Sequence, residues 1–566
     1  MTDPTPTQNQ PTTEGSIKET LISLLISFVM ALTFRSYIVE AFIIPTGSMA
    51  PTLLGSHIRF TSEQTGHTWP VNPWYYLNED TPFSIQGPIP NPGGGTPIAG
   101  RWGLPTATDP STASVLNPFA GNSRPPAIRG YVTPPQAMPL RAGDRILVHK
   151  YLYQLFPPER YDVVVFKNPE LSTQNFIKRL VGLPNEQLWI AAGDIFARPV
   201  TRDAAGKASF GKWSIQRKPH RVQSSLWRRI YSSEYLPLDP VSNAQRWFYT
   251  PWNGSNWQTQ DRRDYRCDTA EPSTLAWDHV KWPITSWEPY NEFPLRVNMG
   301  RPLELFPVPD LRLRAHAKPD QTGLTISATI ETQGHEFQAS LAAGKATIRM
   351  RPTIPASDLP LPWTELVSAP ARDLRPGRFT SIEFLHADQQ LELRVGGSLV
   401  ASATYDWSPS QRLEHATAIP ADEIQSMNAY DARLAEARSY SQRAPRVAWS
   451  FSGSPLTLTR VELDRDVYYE AVTFSNSKPG FGTHPATLAT LGPDQFMMLG
   501  DNSASSKDGR LWDTIDPWVA DQIDPTMGVV PRDLILGKAF FVYFPSTDSA
   551  FGRIPVPDFG RLRFIK

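Results

Sequence analysis

Cysteine is almost absent from this chain of 566 residues, which contains only Cys267. A single cysteine excludes an internal disulfide bond and any cysteine-rich metal site, and the sequence predicts no other metal site. The lack of disulfides is compatible with an extracytoplasmic location, because large domains fold without them.

An excess of charge of either sign is also absent. The chain has 55 lysine and arginine residues against 55 aspartate and glutamate residues, and it contains no long basic run. Nucleic acid is therefore not expected as a partner. No cofactor is predicted either.

Proline and glycine, in contrast, are plentiful, with 56 and 35 residues. This composition predicts loops and short strands rather than long helices, and 566 residues are too many for one ordinary core. We therefore expect a mainly β protein with two or more domains.

An apolar run extends from Leu21 to Phe34 near the N-terminus. With its flanks it approaches the ~20 residues needed to cross a bilayer. The sequence predicts a disordered cytoplasmic tail over 1–15 and a transmembrane helix over 16–36, with the remaining chain on the extracytoplasmic side of the cytoplasmic membrane. Two alternatives stay open. No small-x-small site follows the run, which disfavours a cleaved signal peptide, and the run has no polar face, which disfavours a buried core helix.

A candidate nucleophile follows this run. Residues 38–44 have the pattern of a β-strand, and they lead directly to Ser48, which lies between Gly47 and Met49. A reactive serine at this position would act close to the membrane surface.

A candidate base lies in a second cluster of strand patterns. The segment 176–184 reads Phe-Ile-Lys-Arg-Leu-Val-Gly-Leu-Pro, and strand alternation places Lys178 on the face of Phe176 and Leu180, with Arg179 on the other face. Desolvation among apolar side chains makes the neutral amine accessible near neutral pH, as a general base requires. The alternative is an edge-strand lysine that points into water.

A third cluster follows a strand predicted at 496–499. It contains a Gly-Asp-Asn turn at 500–502 and then Ser506, Asp508 and Arg510. Taken alone, this segment also fits an ordinary turn held by side-chain hydrogen bonds to its own backbone.

Together, these clusters closely resemble bacterial type I signal peptidases. The matching segments are Pro-Thr-Gly-Ser-Met at 45–49 with Pro-Thr-Leu at 51–53, Gly-Asp-Arg-Ile-Leu-Val at 143–148, the lysine segment 176–184, Gly500-Asp501-Asn502 with Ser506, Asp508 and Arg510, Gly-Val-Val-Pro at 528–531 and Gly-Lys-Ala at 537–539. The resemblance covers 37–56, 141–195 and 480–566. It implies a β-rich catalytic core assembled from these three ranges.

The resemblance also implies the catalytic roles. Ser48 would attack the scissile carbonyl, and Lys178, as a free amine, would accept its proton in a Ser-Lys variant of the nucleophile–base pair. The Ser48 backbone N–H and the Thr46 hydroxyl would form the oxyanion hole.

Five further residues are implied to support this site. Ser506 would orient the lysine amine, and Asp508 with Arg510 would form a salt bridge behind it, next to Asp501 and Asn502. The chain departs from the family at Ser503-Ala504, where the family usually has Arg-Asp, and at Gly509, where it usually has serine.

Two long insertions interrupt the resemblance. Residues 57–140 are Pro/Gly-rich and predict a surface loop, whereas 196–479 is large enough for its own core. Alternating apolar residues at 324–330 and 391–395, and a hairpin turn at Gly396-Gly397, resemble laminin-G or concanavalin-like sandwiches, so we expect an inserted jelly-roll-like β-sandwich. Six tryptophans between 247 and 287 suit either stacking on a carbohydrate or peptide ligand or hydrophobic packing.

The expected function is that of a membrane-bound serine endopeptidase that cleaves signal peptides from exported preproteins. Its expected partners are preproteins and the lipid bilayer, with the secretion translocon as a further candidate. An alternative is an inactive membrane-anchored binding protein that uses the sandwich. A self-cleaving regulator with Ser-Lys chemistry is disfavoured, because no helix-turn-helix pattern is present.

Overall fold

The computed structural model describes most of the chain outside its N-terminal tail and several loops. The described residues are 13–61, 66–72, 107–109, 114–116, 141–235, 250–259, 262–280, 282–291, 306–353, 361–471, 480–550 and 554–566. Residues 1–12 of the predicted tail at 1–15 and most of the predicted loop at 57–140 therefore lie outside the described residues. Residues 13–15 of that tail are helical, because the first helix already begins at Thr13.

The first part of the chain contributes one long helix and then short strands. Its elements are α1 (Thr13–Tyr37), β1 (Val39–Ile43), β2 (Ile58–Thr61), β3 (Thr68–Val71), β4 (Ala107–Asp109), β5 (Ser114–Leu116), β6 (Arg145–His149), α2 (Leu152–Leu155), β7 (Val163–Asn168), β8 (Leu171–Gly182), β9 (Glu186–Ala191), β10 (Asp194–Arg202), β11 (Ala208–Phe210), β12 (Ser214–Ile215) and α3 (His220–Leu226).

The middle part of the chain consists mainly of strands. Four short helices precede its last two strands. Its elements are β13 (Arg228–Ser232), β14 (Trp252–Asn253), β15 (Trp257–Gln258), β16 (Tyr265–Cys267), β17 (Ser273–Trp277), β18 (Leu311–Pro319), β19 (Thr325–Thr332), β20 (His335–Ala342), β21 (Lys345–Pro352), β22 (Thr364–Pro370), β23 (Thr380–Ala387), β24 (Gln390–Val395), β25 (Ser398–Thr404), α4 (Pro409–Thr417), α5 (Ala421–Ser426), α6 (Ala429–Arg438), α7 (Tyr440–Arg443), β26 (Arg446–Ser452) and β27 (Leu456–Arg465).

The last part of the chain contributes strands that pair with strands of the first part. Its elements are β28 (Ala489–Thr490), β29 (Gln495–Leu499), α8 (Pro517–Gln522), β30 (Val530–Pro531), β31 (Ile535–Phe544), β32 (Thr547–Ala550), β33 (Ile554–Pro557) and β34 (Arg563–Phe564).

One antiparallel sheet joins segments that are distant in sequence. Its strand order is β1-β6-β31-β7-β8-β29-β30, with β34 also paired to β31. The β-branched run at 163–165 is fully buried in β7, as its sequence predicts for an interior strand. The three ranges predicted to form one core therefore meet in this sheet.

A second, five-stranded sheet packs beside the first. Strands β11, β10, β9 and β28 follow one another in it, and β12 pairs with β10. Strand β10 runs through the predicted domain boundary between residues 195 and 196, because it continues the hairpin that begins in β9. The chain therefore leaves this sheet only after β12.

The insertion folds as a two-layered sandwich, in agreement with the predicted β-rich domain. One sheet has the order β15-β16-β27-β18-β23-β24-β25 with β13 beside β27, and the other has the order β14-β17-β26-β19-β20-β21-β22. Strand β19 alternates buried and half-buried residues along its length, as predicted. The β24–β25 turn places Gly396 and Gly397 at φ 60° and 82°, a region that glycine adopts without strain. The specific laminin-G or concanavalin likeness stays a prediction.

The tryptophans of the insertion mostly pack inside this sandwich. Trp252 and Trp277 are buried in its core, with ring centroids 5.4 Å apart in an edge-to-face arrangement. Trp257 and Trp282 pack against the same core from its margin. Trp247 lies outside the described residues. Hydrophobic packing, rather than ligand stacking, thus explains the described core tryptophans.

Helix α1 covers the segment for which the sequence predicts a transmembrane helix. Within the part of the chain that the structure describes, no helix combines the length and apolarity needed to cross a membrane. The membrane span accordingly stays a prediction.

Candidate active site

Ser48 lies on a one-turn 3₁₀ helix, Gly47–Met49, which follows β1. Met49 and Leu53 are fully buried in a core cluster beneath it, and Leu53 N donates to Met49 O at 2.8 Å. Because these apolar side chains fix the turn to the sheet, Ser48 remains half-buried on its outer side.

Lys178 reaches this serine from β8. Its Nζ lies 2.5 Å from Ser48 Oγ and 5.4 Å from the centre of the Phe176 ring. Strand β8 lies inside the sheet between β7 and β29, so the alternative of an edge-strand lysine in water is wrong. The lysine is 4% exposed.

Burial sets the protonation of this amine. Desolvation lowers the pKa of Lys178 from 10.5 to about 8, and nearby Asp508, Arg510 and Asp501 contribute smaller, partly opposing effects. About a tenth of the amine is then neutral at pH 7. A neutral amine at hydrogen-bonding distance can accept the Ser48 proton.

Arg179 points the other way and forms a fully buried ion pair with Asp501. Arg179 Nε and Nη2 donate to the two Asp501 oxygens, each at 2.7 Å. Burial alone would raise the pKa of Asp501, but Arg179 beside it holds that pKa below its usual value. The alternation of the strand predicted that Arg179 lies on the face opposite Lys178, but it did not predict the ion pair. The only sequence feature that drew attention to Arg179 was its position next to Lys178.

Asp508 and Arg510 form the predicted salt bridge. Arg510 Nη2 donates to Asp508 Oδ2 at 2.8 Å, and both side chains are fully buried. Arg510 Nη1 also donates to Ser503 Oγ at 2.8 Å, and the Glu470 carbonyl accepts from the same nitrogen. Ser503, which stands where the family usually has arginine, therefore supports the same salt bridge.

The glycine at position 509, where the family usually has serine, is explained by close packing of the backbone. A Cβ at this position would lie 2.8 Å from the Gly528 carbonyl oxygen. A serine would therefore require the backbone to move, so the departure from the family follows from close packing of these two glycines.

Ser506 and Thr46 lie near the turn without the predicted contacts being formed. Ser506 is buried, and its Oγ has no hydrogen-bond partner among the described residues. Thr46 is exposed, and its hydroxyl does not cap the turn that follows. Their roles as lysine orienter and oxyanion donor stay predictions.

Asn502 holds the nucleophile turn from behind. Its backbone N–H donates to Ser48 O at 3.0 Å, and its side-chain Nδ2 donates to Gly47 O at 3.0 Å. Asn502 also exchanges hydrogen bonds with Asn291, a residue of the insertion. Nothing in the sequence indicated that residue 291 would lie at the site, because the contact joins positions 211 apart.

A separate carboxylate cluster lies between the second sheet and the sandwich. Oxygens of Asp194, Asp310 and Asp388 lie within 4.8 Å of one another. Arg412 pairs with the first two at 2.5 and 3.1 Å, and Lys218 pairs with the third. The cluster is therefore an ion-pair network that joins the two parts of the chain.

Comparison with known proteins relates one segment of the chain to a peptidase family. Residues 131–206 match the model of the family described as "Signal peptidase, peptidase S26". This range contains Lys178 but not Ser48.

The curated relatives that match the chain also carry the name signal peptidase I. A probable signal peptidase I-2 from Synechocystis sp. is 32% identical over 111 residues, which cover 18% of this chain and 51% of the relative. A signal peptidase I from Leptolyngbya laminosa is 30% identical over 90 residues, covering 14% and 44%. The chain thus spans about half the length of the curated relatives it matches.

Solved structures match at low similarity. A carbohydrate-binding module, CBM66, from Bacillus subtilis has a TM-score of 0.21 at 6% identity, with 38% of this chain and 97% of that one covered. A galectin-like protein of unknown function from Bacillus subtilis has a TM-score of 0.23 at 8% identity, with 43% and 98% covered.

Proposed function

We propose that the chain is a membrane-bound serine endopeptidase that removes N-terminal signal peptides from exported preproteins; its similarity to signal peptidase I relatives and to the signal peptidase family model supports this. The observation that carries this proposal is the 2.5 Å contact between Ser48 Oγ and the desolvated amine of Lys178. A nucleophile paired with a base of lowered pKa is what peptide-bond cleavage by serine requires.

The reaction would proceed through an acyl-enzyme. The neutral Lys178 amine accepts the Ser48 proton while Oγ attacks the scissile carbonyl, and the resulting ammonium then protonates the leaving amine. Lys178 next takes a proton from the water that hydrolyses the ester, and it returns that proton to Ser48.

The developing oxyanion would be stabilised by the Ser48 backbone N–H and the Thr46 hydroxyl. The exposed Thr46 hydroxyl is not used in capping the turn, which leaves it available to a substrate oxygen. One such donor typically contributes ~3 kcal/mol to the barrier reduction.

Anchoring would come from residues 16–36. The described side chains of α1 include Leu21, Leu24 and Phe28, each at least 60% exposed. Apolar side chains at such exposure are stable in a lipid environment, which supports the bilayer as a partner. The catalytic core would then lie on the extracytoplasmic side, where signal peptides emerge from the secretion translocon.

An inactive binding protein would have no need of a desolvated lysine whose amine contacts a serine, whereas a peptidase uses that amine as its base. A carbohydrate or peptide ligand for the sandwich stays a separate prediction, and the buried core tryptophans do not offer it a stacking surface.

Cleavage of a preprotein by the full chain in membranes tests the proposal. Ser48→Ala and Lys178→Ala should each abolish product formation. Ser398→Ala and Lys207→Ala, which change exposed residues of the same types, should retain it. Normal cleavage by either of the first two variants would refute the proposed chemistry.

A further inference from the structure

A loop of the inserted sandwich reaches the nucleophile turn of the core. The loop lies between β17 and β18; residues 278–280, 282–291 and 306–310 of it are described, and the second of these stretches ends with a 3₁₀ turn, Pro289–Asn291. An isolated bridge between Thr285 and Pro307 ties the two ends of the loop together. The turn is therefore held by the sandwich while its last two residues contact the catalytic core.

Tyr290 packs directly against the residue before the candidate nucleophile. Its side chain is 1% exposed and clusters with Ala50 and Leu54. A Cβ at Gly47 would lie 2.4 Å from Tyr290 Cε1. The insertion thus fills the space in which any larger residue at position 47 would have to fit.

Asn291 forms a reciprocal amide pair with Asn502. Asn291 Nδ2 donates to Asn502 Oδ1 at 2.5 Å, and Asn502 Nδ2 donates to Asn291 Oδ1 at 3.0 Å. Both residues are buried, at 2% and 3% exposure. The second hydrogen of Asn502 Nδ2 goes to Gly47 O, so this amide uses both of its donors.

This arrangement fixes the orientation of Asn502. The carbonyl of Gly47 requires the NH₂ end of the Asn502 amide, and Asn291 satisfies the remaining donor and the oxygen. Without Asn291, the buried Asn502 oxygen would have no protein partner in this contact, and the amide could turn away from Gly47. The turn that carries Ser48 would then lose one of the two hydrogen bonds by which Asn502 holds it.

We propose that Asn291 is a positioning residue for the Ser48 reaction, so that the inserted sandwich completes the catalytic unit. The inference rests on the proposed peptidase function and deepens it. Asn291 contacts neither Ser48 nor Lys178; it acts through Asn502 on the geometry of the nucleophile turn.

The full-length variant Asn291→Ala tests this role in steady-state preprotein cleavage. We expect kcat to fall by about tenfold to a hundredfold with KM nearly unchanged, because a small misplacement of a nucleophile affects the chemical step. The midpoint of the pH profile should not move, because the burial of Lys178 is unaltered. Asn256→Ala, an exposed asparagine of the same insertion, should leave both constants unchanged.

Three further variants separate positioning from folding. Asn291→Asp keeps the size and the acceptor of the side chain but loses the donor to Asn502 Oδ1, and it should also lower kcat. Because it buries a carboxyl group, kcat is compared at a temperature at which unfolding curves show both chains to be fully folded. Asn502→Ala and the Asn291→Ala/Asn502→Ala double variant should have the same kcat, since the two residues act through one contact.

The outcomes are distinguishable. Cleavage by the wild type together with undiminished kcat in Asn291→Ala, or with fully additive losses in the double variant, would overturn the inference alone. Absence of cleavage by the wild type would overturn the proposed function, and the role of Asn291 with it.

Discussion

At the scale of single residues, the burial of Lys178 destabilises the folded chain and also makes its amine suitable as a base. Burial lowers the pKa of its amine to about 8, so the folded chain binds its proton less tightly than the unfolded chain does. Below pH 8 the folded state holds a desolvated ammonium, which destabilises it. The same desolvation makes the neutral amine available for proton transfer.

Replacement by an apolar side chain should therefore stabilise the protein. Lys178→Met should raise the free energy of unfolding at pH 7 by up to about 3 kcal/mol, because each unit of pKa shift corresponds to ~1.4 kcal/mol. The gain should shrink as pH rises from 8 toward 10.5, where the unfolded amine also becomes neutral. Denaturant unfolding of both chains at pH 7 and 9.5 measures it; a gain that grows with pH would contradict the assignment.

A second residue-scale prediction concerns Gly509. Gly509→Ser should lower the free energy of unfolding by about 1–3 kcal/mol, because its Cβ would meet the Gly528 carbonyl at 2.8 Å. Gly560→Ser offers a control, since a Cβ at this exposed glycine would meet only Asp558 Oδ1, at an ordinary contact distance of 3.5 Å. A thermal unfolding midpoint for Gly509→Ser equal to or above that of the wild type would show that the backbone adapts freely.

At the scale of secondary-structure elements, the strands of the core were predictable and their partners were not. Apolar runs with β-branched residues identified β7 and β8. Period-two alternation also separated Lys178, which contacts Ser48 and Phe176, from Arg179, which pairs with Asp501. Alternation gives only the face on which a side chain lies. The pairing of Arg179 with Asp501 joins positions 322 apart, and local sequence contains no information about such a contact.

The buried ion pair between β8 and the 500–502 turn should be sensitive to the loss of one partner. Asp501→Ala should destabilise the chain by about 3–5 kcal/mol, because it leaves Arg179 charged and buried without its carboxylate. Asp494→Ala, which removes an exposed partner of Arg532, should cost under about 1 kcal/mol. The comparison of the two unfolding curves checks this, and equal effects would contradict the description of Arg179 as fully desolvated.

At the scale of the whole molecule, the insertion is joined to the core by charge as well as by packing. Arg412, on α4, contacts Asp194 of the second core sheet and Asp310 at the start of the sandwich. All three side chains are buried. Sequence patterns predicted that a β-rich insertion exists, but they could not predict which of its faces meets the core, because neither surface has a periodic pattern that specifies the other.

Removal of Arg412 should therefore weaken the coupling between the two parts. We expect Arg412→Ala to unfold in two resolved steps, where the wild type unfolds in one, because Asp194 and Asp310 would lose the cation they share. Arg446→Ala, which removes an exposed arginine of the sandwich, should unfold as the wild type does. Calorimetry of the full chains distinguishes the cases; a single step at an unchanged midpoint in Arg412→Ala would refute the coupling.

The central claim, that a desolvated Lys178 is the base for Ser48, is tested most directly by the pH dependence of kcat/KM for preprotein cleavage by the wild-type chain. The neutral amine is the active form, so kcat/KM should rise about tenfold per pH unit below a midpoint near pH 8 and level off above it. A midpoint near 10.5, the ordinary value for lysine, or no change between pH 6 and 9, would contradict the claim.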